Sequence, residues 1–154
     1  MSVTLEGVVP AARAVLHEEL LAFADAQESP ATRERYGALA DAVDAGDVPD
    51  ALVPALETFL ELALTRGRLR KLRGAEADDA LTALFFRTPS GAAARAAAHA
   101  VTRALGELAG QVLERVTVTA VLSGHTVTVE TDRAQLVIEL DRGGARVKSV
   151  EVSA

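Results

Sequence analysis

The chain has 154 residues, a net charge of −6 and no cysteine, and 49% of its residues are hydrophobic although only 3% are aromatic. A chain of this size suits one domain able to bury roughly 70% of its unfolded surface. The missing thiols exclude a disulfide framework, a thiolate metal site and a cysteine nucleophile. The acidic balance opposes non-specific attraction to nucleic acid or anionic lipid, and few rings are present to stack on bases or sugars.

Met1 to Pro10 holds no basic run ahead of an apolar stretch, and no apolar run approaches the length that spans a bilayer. The expectation is an unexported, cytoplasmic chain without a membrane partner. Residues 10 to about 27 carry Ala12, Leu16, Leu20 and Phe23 at helical spacing, opened by Pro10. Ser29-Pro30 then supplies a cap and a first-turn proline for a second helix over 30–45, with Tyr36, Leu39, Ala40 and Val43 as its stripe and Gly46 as its stop. The short link predicts an antiparallel helical hairpin.

A third helix is predicted from about Asp50 to Arg66, with Leu52, Leu56, Phe59, Leu60, Ala63 and Leu64 as a wide apolar band. Pro54 fits if it lies in the first turn, or if Pro49 to Val53 forms a separate short turn. Gly67 and Gly74 bracket a basic connector, after which Ala77, Ala80, Leu81, Leu84 and Phe85 mark a fourth helix ending near Arg87. Thr88-Pro89 restarts the chain as a last helix over about 89–110. Its alanines, Ala92 to Ala94, Ala96 to Ala98, Ala100 and Ala104, would let it approach a sheet closely, so it is expected to lie buried beneath one.

From Leu113 to Val152 the period changes to two. Val116, Val118, Ala120 and Leu122 alternate with Thr117, Thr119 and Val121; Val127 and Val129 with Thr126, Thr128 and Glu130; Leu136, Ile138 and Leu140 with Gln135 and Glu139. Turn residues separate the runs at Ser123-Gly124, Asp132-Arg133 and Asp141 to Gly144. These features predict an α+β fold in which a helical region of four or five helices (1–111) packs on a four-stranded antiparallel meander (112–154), as a single domain over 1–154. One face of the sheet should be buried and the other solvated.

The sharpest local anomaly is Arg66, Arg68, Arg70, Lys71 and Arg73. Without those five, 11 basic residues stand against 22 acidic ones, a balance of −11. Such a cluster suits phosphates or an acidic partner, or else serves as a solvated connector that pairs with the chain's own acids and complements helix carbonyls. Asp41, Asp44, Asp47 and Asp50 lack the alternate-position oxygens and later bidentate Glu of a calcium loop, so capping and solvation explain them better. His17, His99 and His125 are far apart, and His17 lacks the second histidine of a zinc-protease helix. His99 is the histidine to watch, as a ligand or acid–base group against a plain surface or core role. Ser123 and His125 flank a tight turn unsuited to a nucleophile and its base, and no phosphate-cradling glycine motif is present.

With no catalytic residues, metal site or cofactor assigned, the expectation is a non-enzymatic interaction or regulatory module acting on a protein partner or on itself as a homodimer. The meander lacks proline throughout, and Leu21, Leu60, Leu62 and Phe86 fall outside the tidiest core stripes, so both point to self-association. The alternatives are a nucleic-acid binder using Arg66 to Arg73, which the charge disfavours, and a small-molecule binder with a pocket between helices and sheet.

Overall fold

A computed structural model describes residues 1–153. The chain forms two compact units, one from Met1 to Ala92 and one from Ala93 onward. The fold is α+β, with helices in the N-terminal part and a four-stranded antiparallel sheet at the C-terminus.

In the first unit, α1 (Pro10–Asp25) and α2 (Pro30–Ala45) form the expected hairpin. Ser29 caps α2 by accepting a hydrogen bond from the Thr32 amide at 3.4 Å. The turn before α3 (Val53–Thr65) is a 3-10 segment, Asp50–Leu52, and Pro54 sits in the first turn of α3, so both ways of accommodating that proline are used together. The stripes read from the sequence converge here: Leu16 and Leu20 meet Leu39, Val43, Leu56 and Leu60 in one buried cluster. Phe23 packs edge-on against Tyr36 at 4.7 Å and against Phe59 at 5.5 Å, a geometry that lets the positive ring edge meet the negative ring face.

Two elements depart from the sequence reading. The basic connector is itself a helix, α4 (Arg68–Arg73), because its arginines, leucines and lysine are good helix formers and Leu69 is buried in the core. Gly67 and Gly74 flank it at φ 62° and 90°, conformations that let the backbone turn sharply on entering and leaving so short a helix. The second departure is a small antiparallel ribbon of β1 (Val3–Thr4) and β2 (Asp47–Val48), too short to show any periodicity. Arg87 ties this ribbon down by donating to the carbonyl oxygens of Thr4 at 2.7 Å and Glu6 at 2.9 Å.

Helix α5 (Ala75–Phe85) ends at a tight corner before α6 (Pro89–Glu107). The fully buried Thr88 hydroxyl donates to the Phe85 carbonyl at 2.7 Å and accepts from the Gly91 amide at 3.3 Å. Glu57 adds a second cap: its carboxylate accepts from the Ser90 amide at 2.7 Å and from the Ser90 hydroxyl at 2.8 Å, placing negative charge at the positive end of α6.

The division between the two units falls inside α6. The expectation that this alanine helix is buried is not met, since Gly91 is its only buried residue. Ala94, Ala97, Ala100, Val101 and Ala104 make a half-buried stripe at spacings of three and four, while Arg95, His99 and Arg103 are exposed. A helix with one apolar stripe has one face to cover, and methyl side chains leave it little area to remove from water.

The second unit also holds β3 (Leu113–Val121), β4 (Gly124–Thr131), β5 (Ala134–Asp141) and β6 (Gly144–Val152), paired in the order β3-β4-β5-β6. The register places Val116 beside Val129, Val118 beside Val127, Val129 beside Leu136 and Val127 beside Ile138, so the alternating apolar residues do share one face. A bulge at Lys148 lets Val147 pair with Ile138 and Val150 with Leu136, which keeps both valines on that face despite their spacing of three. The 131–134 turn is held by the buried Thr131 hydroxyl, which accepts from the Ala134 amide at 2.9 Å.

The apolar face is only partly covered. Ala134, Leu136 and Ile138 on β5 are buried, but every residue of β3 is exposed, contrary to the expectation of one fully buried face.

Candidate functional site

The basic cluster is built on the end of α3 and on α4, and its members do not form one free patch. Arg73 donates through Nε to Glu19 at 3.0 Å and lies 3.0 Å from Glu18, both on α1. The Glu19 hydrogen bond, with the two carboxylate charges, raises the Arg73 guanidinium above the ordinary arginine range and holds it protonated. Arg70 reaches Asp78 and Asp79 on α5, both at 3.3 Å, and Arg68 lies 3.7 Å from Glu19. Arg66 and Lys71 have no such partner among the described residues. The cluster therefore staples α4 to α1 and α5, with two of its five charges left over. Sequence spacing could not reveal these pairs, since Arg73 and Glu19 are 54 positions apart; the only available signal was the local excess of acid on α1 and α5.

The other candidates remain separate. His17 is half-buried on α1, whereas His99 and His125 are exposed on α6 and β4. Ser123 and His125 make no side-chain hydrogen bond to each other. Asp41, Asp44, Asp47 and Asp50 are all exposed around the α2–α3 junction, where Asp47 accepts from the Thr4 hydroxyl at 3.4 Å. Among the described residues, no group of three or more His, Asp or Glu is placed to hold a metal ion, and no helix is long and apolar enough to cross a membrane.

No family model, curated protein or solved structure matches this chain. The functional reading therefore rests on the surface of the molecule itself.

That surface has one conspicuous feature. On the apolar side of the sheet, Val116 is 53% exposed and Val118 63%, with Val150 and Val152 also in solvent. Of the surplus apolar residues on the helices, Leu60 lies fully inside the core, Leu62 and Phe86 are half-buried and Leu21 is on the surface, where Leu72 on α4 and Leu105 on α6 are exposed as well. The exposed valines of the sheet thus lie on its two edge strands, Val116 and Val118 on β3 and Val150 and Val152 on β6.

Proposed function

We propose that the chain is a non-enzymatic protein-interaction module that self-associates as a two-fold dimer through the β3 edge and the apolar face beside it. The observation that carries this reading is strand β3 itself: an edge strand of nine residues, exposed throughout, without proline and with uncharged residues from Val116 to Val121. Long, flat, uncharged edges are the ones that accept another strand, and natural monomers normally block them.

The strand is also self-complementary. Antiparallel pairing about Val118 sets that residue opposite its own copy, Thr117 opposite Thr119 of the second copy, and Val116 opposite Ala120. Arg115 then falls opposite Val121, and Glu114 lies at the register break that ends the regular part of the strand, so no like charges meet. β-Branched cross-strand pairs favour such a ladder, and two-fold closure uses one patch twice. The nucleic-acid alternative has less support, because three of its five cations already meet the chain's own carboxylates.

Light scattering across a concentration series tests the proposal. The wild type is expected at dimer mass at tens of micromolar, and Val118→Lys, which sets two cations against each other at the two-fold axis, is expected at monomer mass. A wild type that stays monomeric, or a Val118→Lys variant that stays dimeric, overturns the β3 interface.

A further inference from the structure

The helical unit contains a cavity that the interaction reading does not use. It has a volume of about 270 Å³ and lies between α1, α3 and α4, with Ala22, Phe23, Phe59, Leu62 and Ala63 as its apolar walls. This is just under the roughly 300–1,000 Å³ typical of small-molecule pockets, a size suited to a short chain or a single ring. The walls are firm where it matters, because Phe23 is braced edge-on by both Tyr36 and Phe59.

The rim differs from the walls. It carries Glu19, Arg66 and Arg68. The Glu19 carboxylate is engaged by Arg73 at 3.0 Å and approached by Arg68 at 3.7 Å, so its charge is already met. Arg66 stands at the same rim with no ion pair or hydrogen bond among the described residues. An apolar pocket with one uncommitted guanidinium at its mouth matches a ligand that is apolar along its length and anionic at one end. A guanidinium offers two parallel N–H donors, which fit the two oxygens of a carboxylate. One uncommitted guanidinium balances one negative charge, so a monoanion fits better than a phosphate dianion.

We infer that this cavity binds a small amphipathic monocarboxylate, with the apolar portion between Phe23, Phe59 and Leu62 and the carboxylate on Arg66. The site is independent of the β3 interface, since all of its lining residues lie between Glu19 and Leu69.

Octanoate is a suitable probe, followed by calorimetry and by amide chemical-shift mapping on the full chain. Binding is expected with a dissociation constant under about 1 mM, with shifts centred on Phe23, Leu62 and Arg66. Arg66→Gln, at an exposed position that leaves the fold intact, should weaken it about tenfold, the loss of one charge-assisted contact. Octan-1-ol should bind more weakly than octanoate, and octyl phosphate no more tightly. Ala63→Phe should fill the cavity and abolish binding, with far-UV circular dichroism confirming the fold; if that variant misfolds, Arg66→Gln and the mapped shifts decide. Three results overturn the inference: no saturable binding to the wild type in this range, wild-type affinity in Arg66→Gln, or shifts centred on Val116 and Val118, which would place the apolar chain on the open sheet.

Discussion

Replacing Gly91 with alanine puts a methyl group where the α5–α6 corner has no room. A Cβ built there lies 1.9 Å from the Phe85 carbonyl oxygen, 2.6 Å from its carbon and 2.8 Å from Phe86 Cα. All three atoms are backbone, so no rotamer change relieves the contact. Real Cβ atoms stay beyond 3.0 Å, and the corner must therefore open by at least 1.1 Å. Such a movement breaks the two hydrogen bonds that converge on the Phe85 oxygen, from the Thr88 amide at 3.0 Å and the Thr88 hydroxyl at 2.7 Å. Two bonds at about 1 kcal/mol each, plus overpacking strain of roughly 1 kcal/mol, outweigh the gain of about 1 kcal/mol that alanine offers a helix. The expected net loss is about 2 kcal/mol, or a fall in urea midpoint of roughly 1–2 M.

Gly37 supplies the control. It lies inside α2 of the same unit with nothing within 4 Å of a built Cβ, so Gly37→Ala should stabilise by about 0.5–1 kcal/mol. Tyr36, the only tyrosine and a buried one, reports on this unit by its fluorescence. A Gly91→Ala midpoint at or above the wild type would refute the steric argument. So would a Gly37→Ala variant that loses as much.

Arg87→Ala should release the β1–β2 ribbon at a cost of about 1 kcal/mol, seen as faster amide exchange at Leu5 and Val48 with α3 unchanged; unchanged exchange would remove Arg87 as its anchor. Thr131→Val leaves the buried Ala134 amide without its hydroxyl acceptor and should lower stability by roughly 1–3 kcal/mol, with an unaltered melting temperature counting against it. Ala97→Leu and Ala100→Leu, on the half-buried stripe of α6, should each change stability by less than about 1 kcal/mol, below the 1–3 kcal/mol of an enclosed site. A larger loss in chemical denaturation would mean that this stripe is packed far more tightly than its exposure implies.

Periodicity in the sequence located the four C-terminal strands and most of the helices, because each repeats its apolar spacing often enough to stand out. Strands β1 and β2 have two residues each, and no pattern can show in two residues. Helix α4 was concealed by its charge, since five cations read as a solvated link until the acids of α1 and α5 are placed beside them. The exposure of Val116 and Val118 was illegible for a different reason. Alternation says that two side chains share a face, but it carries no information on whether another element covers that face. Of the candidate site, Arg66 was visible in the sequence as a charge; its lack of a partner and its place above an apolar cavity depend on α1, 40 or more positions away.

The uninterrupted order β3-β4-β5-β6 also bears on how the chain folds. Each strand pairs with its neighbour in sequence across two intervening residues, Leu122-Ser123, Asp132-Arg133 and Arg142-Gly143. Every ladder therefore starts from a short loop closure, with hairpin formation on a scale of about 1–10 μs, and each of the three turns can nucleate its own pair. The β1–β2 ribbon is the opposite case. Val3 and Val48 are separated in the chain by α1 and α2, so the closure entropy of their pairing is the largest of any strand pair. The sheet thus acquires its register from its own turns, without instruction from the start of the chain.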